Sequence, residues 1–197
     1  AMGDSQTIRP MQKVPTGHQA CIHDIAHDYY GKRLATCSSD KTIKVFDKDS
    51  NDEWKLTSSW SAHSSAIYQV DWAHPEFGQV LASCSEDRSV IIWVEEAQPG
   101  QQRKFRSEAR LLDFGKGVTS LSFAPNHMGL QLASCCNDGK VWLHSGNAAK
   151  LDRWEVLSFF EPAGAARGAY LTSLSWNKSR SDGPGLVVGW WREHEEG

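Results

Sequence analysis

No apolar run in this 197-residue chain approaches the roughly 18 residues that would carry a helix across a bilayer. The N-terminus "AMGDSQTIRP" lacks the charged and apolar regions of a secretory signal, which points to an intracellular, reducing setting. Charge of one sign is lacking as well. Lys and Arg number 21 against 24 Asp and Glu, a formal net charge of −3, so no basic surface recommends direct nucleic-acid contact or insertion into an anionic membrane. Five cysteines, an odd number spread from Cys21 to Cys136, include no CxxC pair, and they read as reduced, buried thiols rather than zinc ligands or a disulfide framework. His23 and His27 would share a strand face but stand too far apart for one ion, so no metal site is expected, and no cofactor motif is present. The connections "PAGAARG" (162–168) and "KSRSDGPG" (178–185) lack the spacing of a phosphate loop.

What the chain does have is tryptophan, nine residues of it, and an internal repeat. "GKRLATCSSDKTIKVF" (31–46), "GQVLASCSEDRSVIIW" (78–93) and "GLQLASCCNDGKVWLH" (129–144) align on Cys37, Cys84 and Cys135, a period of 47 to 51 residues. Each unit alternates apolar and polar positions, breaks at a polar turn ending in Asp40, Asp87 or Asp138, and alternates again, the pattern of a β-hairpin. A strand of period two precedes each hairpin, at "IHDIAHD" (22–28), "IYQVDWA" (67–73) and "VTSLSFA" (118–124), and recurs at "LTSLSWN" (171–177). Aromatic-rich "WKLTSSW" (54–60) and "WEVLSFF" (154–160) supply a fourth strand, and four strands per repeat of this length make a β-propeller blade. The basic run "RKFRSEAR" (103–110), interrupted by Glu108, reads as a solvated outer strand rather than a nucleic-acid groove.

The Gly17-His18 dipeptide, the Ser-x-Asp turn, and Trp93 or Phe46 closing the third strand resemble WD repeats over residues 17–189. Within that family, "IHDIAHDYYGKRLATCSSDKTIKVFD", "WAHPEFGQVLASCSEDR" and "FAPNHMGL" are similar to the SEH-type nucleoporin and to its sister, the SEC-thirteen-type subunit shared by the nuclear pore and the COPII coat. The second and third strings, with "LSWNKS" (174–179), lie nearer the SEH type. The resemblance implies a non-catalytic scaffold of the nuclear pore Y-shaped complex at the nuclear envelope, serving nucleocytoplasmic and mRNA transport. It further implies peripheral association, and work in TORC1-linked amino-acid sensing in the cytoplasm and at the lysosomal or vacuolar surface. The implied partner is an α-solenoid nucleoporin of the Nup-eighty-five type that completes an open propeller in trans. The alternatives are the COPII outer-coat subunit of ER-to-Golgi transport and a generic peptide-binding WD adaptor.

The same resemblance implies a hydrogen-bonded structural network in each blade. Its expected members are His18, Thr36 or Ser38, Asp40 and Phe46 in the first blade, and His63, Ser83 or Ser85, Asp87 and Trp93 in the second. Ser38 and Ser85 are preferred. These are the residue types of a Ser-His-Asp hydrolase, but catalysis needs one unique set around a cavity, whereas a set recurring with every repeat answers a structural need. The chain is therefore read as no enzyme. The third blade has Phe114 at the His position and His144 at the Trp position, leaving Asp138 to serve its turn alone.

The fold expected is all-β, an open and truncated WD-repeat propeller of three complete four-stranded blades plus part of a fourth. Residues 1–16 are an N-terminal segment, with an expression scar at Ala1 ahead of Met2, that can add an outer strand. The tail 190–197 is atypical: after Gly189 the expected Ser-x-Asp turn gives way to "WWREHEEG", with Arg192 in the Asp position, which reads as a fragment or a faulty gene model.

Overall fold

The computed structural model describes residues 12–96, 103–163, 169–177, 183 and 185–191. Period-two alternation yields strands wherever the repeat places it. The first blade is β1 (Ile22–His27), β2 (Arg33–Ser38), β3 (Thr42–Lys48) and β4 (Trp54–Ser61), and the second is β5 (Ile67–Trp72), β6 (Val80–Ser85), β7 (Val90–Glu96) and β8 (Lys104–Leu111). The third is β9 (Val118–Phe123), β10 (Gln131–Cys136), β11 (Val141–Asn147) and β12 (Lys150–Phe160). A fourth, two-stranded sheet holds β13 (Tyr170–Trp176) and β14 (Leu186–Trp191). Each four-stranded sheet is an antiparallel meander in chain order. The blades are thus three and a fraction, all-β and open, as the repeat requires.

The basic run at 103–110 is indeed the outermost strand, β8, of its blade. Residues 12–16 carry no strand, and the rest of the N-terminal segment lies outside the described residues. The boundary placed at Gly189 is corrected. Pairing continues for two more residues, with Trp190 opposite Leu171 and Trp191 opposite Tyr170, because the apolar side chains of "WW" sustain the ladder that Gly189 would otherwise end. Arg192 lies outside the described residues.

The turn between the second and third strands is built identically in all three blades. A backbone N–H at Lys41, Arg88 or Gly139 donates to the carbonyl of Ser38, Ser85 or Cys136, and these three donors have φ of 68°, 66° and 86°. Left-handed backbone suits glycine, so Lys41 and Arg88 carry a strain that Gly139 escapes. The preceding aspartate offsets it. Asp40, Asp87 and Asp138 each accept, through Oδ1, the N–H two residues ahead, at 3.0, 3.1 and 3.0 Å.

The core is distributed over the blade junctions. Ala35 and Cys37 on β2 face Ile67 and Val70 on β5; Ala82 and Cys84 face Val118 and Leu121; Ala133 and Cys135 face Leu171 and Leu174. The small pair on one blade receives the large pair on the next, which is why the cysteines recur at the repeat period. Cys37, Cys84 and Cys135 are buried, as is Cys136, whereas Cys21, expected to be buried with them, is exposed ahead of the first strand; burial raises the Cys37 and Cys84 thiols, with Cys135 pushed up to about 12, so none of these three is a reactive thiolate.

A polar stitch accompanies each apolar junction. Asp24 Oδ2 accepts from Val70 N at 3.1 Å, Gln69 Oε1 from Leu121 N at 2.9 Å, and Ser120 Oγ from Leu174 N at 3.1 Å. These acceptors occupy one repeat position and their donors another, so the side chain of each innermost strand pairs a backbone N–H of the next. A second stitch runs the other way, from Trp72 Nε1 to Ala26 O at 3.2 Å and from Trp176 Nε1 to Ser122 O at 3.0 Å.

Candidate functional site

The His, Asp and Ser residues singled out in the repeat do converge. In the second blade His63 Nδ1 lies 3.0 Å from Asp87 Oδ2, its Nε2 lies 2.7 Å from Ser83 Oγ, and Trp93 Nε1 lies 2.8 Å from the same Oγ. The indole can only donate, so Ser83 Oγ accepts from Trp93 and gives its own proton to His63 Nε2. His63 Nδ1–H then donates to Asp87. The proton order is that of a hydrolase triad. What is missing is access: Ser83 is fully buried, His63 nearly so, and the N–H of Trp93 occupies the serine oxygen.

The serine expected there, Ser85, is elsewhere. Its Oγ donates to Ala66 O at 2.8 Å and accepts from Asp87 N at 3.1 Å, and Ser38 treats Ala20 O and Asp40 N in the same way at 3.3 and 3.1 Å. The preference for Ser38 and Ser85 is therefore corrected to Thr36 and Ser83. Residues two apart share a strand face, so alternation could not separate the pairs. The end of the strand decides, since Ser38 and Ser85 sit at the turn itself, while Thr36 and Ser83 lie one step inward beneath the imidazole.

In the first blade His18 reaches Asp40 Oδ2 at 2.9 Å and Thr36 Oγ1 at 2.8 Å, and buried Phe46 fills the Trp93 position without donating. The third blade has lost the link. Asp138 holds its turn, buried Phe114 packs beside Trp142 and His144, and His144 Nε2 bonds Asp113 Oδ2 at 3.0 Å instead. Ser134 Oγ, the counterpart of Ser83, and His144 Nδ1 are buried without a hydrogen-bond partner among the described residues. Burial lowers the His144 pKa, Asp113 only partly opposing it, so this imidazole stays neutral.

Elsewhere the chemistry is equally sparse. An open cleft of about 550 Å³ on the inner rim is lined by His27, Tyr29, Asp71, Trp72 and His74 among others, and includes no member of the blade networks. His23 bonds Ser39 and His27 packs on Trp54; no group of His, Cys, Asp and Glu among the described residues is placed to hold a metal ion.

One buried cluster escaped the sequence reading. Arg33 opens β2 and reaches across to the second blade, donating from Nη2 to Glu95 Oε1 at 2.7 Å, from Nη1 to Glu95 Oε2 at 3.0 Å and Gln79 Oε1 at 2.9 Å, and from Nε to Asp47 Oδ1 at 2.9 Å. Its guanidinium lies over the rings of Trp72 and Phe105. The equivalent positions are Val80 and Gln131, so the repeat gave no sign of it. An alternating strand opened by arginine opposite Asp47 was the available signal.

The arrangement binds and holds; it has no exposed nucleophile–base pair among these networks. The model of the WD domain, G-beta repeat, matches residues 9–47, 54–94 and 110–145. The chain is 39% identical over 187 residues to nucleoporin SEH1 of Xenopus tropicalis and of Danio rerio, and 38% identical over 187 residues to that of Homo sapiens. Each alignment covers 90% of this chain and 50% of the relative, so the chain spans about half the length of the curated relatives it matches.

Proposed function

The chain belongs to the WD domain, G-beta repeat family, and from that premise we propose that it is a non-catalytic scaffold subunit of the nuclear pore. The observation that carries this reading is the 39% identity to SEH1 nucleoporins across 90% of the chain. It is supported by blade networks that spend their His, Asp and hydroxyl groups on each other. The subunit works by offering blade faces to protein partners. The foremost is an α-solenoid nucleoporin that contributes a strand or blade in trans, and attachment to the nuclear envelope is peripheral, through the complex. Bare innermost-strand positions suit such a partner: Ile25 is 54% exposed, whereas its counterparts Val70, Leu121 and Leu174 are buried. A share in TORC1-linked assemblies at the lysosomal or vacuolar surface belongs to the same proposal.

Affinity purification of the tagged chain from native extract, with mass spectrometry, tests it. Y-complex nucleoporins, the α-solenoid subunit among them, are expected in the eluate. Recovery of the COPII outer-coat cage protein without those nucleoporins would overturn the assignment in favour of the coat.

A further inference from the structure

The turns joining the first and second strands of each blade gather on one rim, at the opposite end of those strands from the aspartate turns. In the first blade Gly31 N donates to Asp28 O at 3.0 Å, with Gly31 at φ 64°, and Asp28 Oδ1 accepts from Lys32 N and Arg33 N at 2.8 and 2.9 Å. On that tight turn Tyr29 and Tyr30 are 68% and 64% exposed. In the second blade the position of Tyr29 is taken by His74, whose Nδ1 accepts from Glu76 N at 3.3 Å ahead of the short turn Pro75–Phe77. The Tyr29 and His74 rings meet at 4.9 Å, edge to face, and Asn126 Nδ2 of the third blade donates to Glu76 Oε2 at 3.0 Å. Three consecutive turns are thus tied into one rim.

The cleft of about 550 Å³ opens between these turns and the ends of the innermost strands. Of the described residues lining it, Asp28 and Asp71 are carboxylates, five carry rings, Tyr29, Trp72 and His74 among them, and none is lysine or arginine. Backbone N–H groups fix both carboxylates, Asp71 Oδ2 accepting from Phe123 N at 2.8 Å, and such a bond positions a negative charge without cancelling it. A concave wall with two carboxylates and several ring faces attracts a cation. The fold already seats one in this manner: Arg33 lies 5.3 Å from the Trp72 ring centroid and forks onto Glu95.

We propose that this cleft docks an arginine-bearing peptide segment of a protein partner, its guanidinium lying against the Tyr29 and His74 rings and pairing with Asp28 and Asp71. Charge complementarity chooses the occupant. A nucleic-acid backbone, an anionic lipid surface or an acidic peptide would meet two carboxylates and no lysine or arginine in the lining. Arginine suits the site better than lysine, because a planar guanidinium stacks on a ring while its fork engages a carboxylate, whereas an ammonium is a strongly hydrated point charge. The residues that carry the docking meet across the junction of the first two blades, whose apolar faces are mated, so neither end of the chain forms the site. The docking stands independently of the nuclear-pore reading.

Two-dimensional NMR of the full chain, titrated with capped pentapeptides that carry arginine at the centre and uncharged residues elsewhere, tests the docking. Saturable shifts are expected at the backbone amides of Tyr29, Ala73, His74 and Asn126. Citrulline at the centre, which keeps the shape and removes the charge, is expected to give none. Tyr29→Ala, at an exposed position, and Asp28→Asn, which keeps an acceptor for Lys32 N and Arg33 N, are each expected to weaken binding about fivefold with the rest of the spectrum unchanged. No saturable shift with the arginine peptides, equal shifts with citrulline or lysine peptides, or undiminished affinity in either variant would each overturn the proposal. Because the titration contains no other protein, its failure leaves the affinity purification to be judged alone.

Discussion

Replacing Arg33 with alanine is expected to lower the unfolding free energy by about 3–5 kcal/mol, the cost of breaking a buried ion pair by removing one member. The side chains of Arg33 and Glu95 are 8% and 5% exposed, and their bidentate contact is the strongest polar link between the first two blades. Without the guanidinium, Glu95 loses both of these bonds and Asp47 one, Arg103 offering Glu95 only a longer contact at 3.9 Å from a half-exposed side chain. The stacking on Trp72 and Phe105 goes as well. Arg33→Met combined with Glu95→Met should recover much of the loss, because neither charge is then stranded. Urea denaturation followed by tryptophan fluorescence reads both. A single-variant loss below about 1 kcal/mol would mean that the cluster is solvated and the junction rests on apolar packing alone.

The second large effect is expected at Asp87. Substitution by alanine removes the acceptor for His63 Nδ1, Ser64 N, Ser89 N and Ser89 Oγ together. At about 1–3 kcal/mol for each group left buried and unsatisfied, with Ser64 free to turn to water, a loss of about 3 kcal/mol is expected. Asp138→Ala in the third blade removes the turn bond from Lys140 N and should cost about 1 kcal/mol. The contrast separates a network from a turn. It also carries a pH dependence. Burial pushes the Asp87 carboxyl up, but hydrogen bonds from Ser89, Ser64 and His63 outweigh it and hold the group down at about 2. An unfolded aspartate takes its proton near pH 4. The stabilisation is therefore complete above that value and is lost as pH falls toward 2. His63 adds to the same slope from a higher pH. Burial holds its imidazole below the ordinary 6.5 against the pull of Asp87, so acid favours the unfolded chain that can take the proton. Asp87→Ala should flatten the acid limb without abolishing it, since Asp40 in the first blade is likewise depressed, burial being outweighed there by Thr42, Gln19 and His18.

Strand positions were legible because a propeller blade buries alternate residues on two faces, which leaves the 47–51-residue period and the recurring "LATCS", "LASCS" and "LASCC" in plain view. The loss of the third network was legible too, since phenylalanine at 114 cannot hydrogen bond whatever its surroundings. The choice of Ser83 over Ser85 was not, because both lie on one face of one strand and the distinction depends on how deep the imidazole and the Trp93 indole reach. Arg33 was hidden for the opposite reason: it departs from the repeat, and its partners Gln79 and Glu95 lie 46 and 62 residues away. The shared face of Ile22 and Ile25 needed coordinates as well. Ile22 and Ile25 share a face only through the irregularity in β1 pairing between Ile22 and Asp24, which strict alternation does not anticipate.

His63, Asp87 and Ser83, with Trp93, bind one another inside the second blade and leave no free nucleophile among them. A serine-reactive fluorophosphonate probe applied to the folded chain tests it directly. No adduct is expected at Ser83, whose oxygen is fully buried and already engaged by His63 and Trp93. Labelling of Ser83 that the His63→Ala substitution abolishes would contradict it.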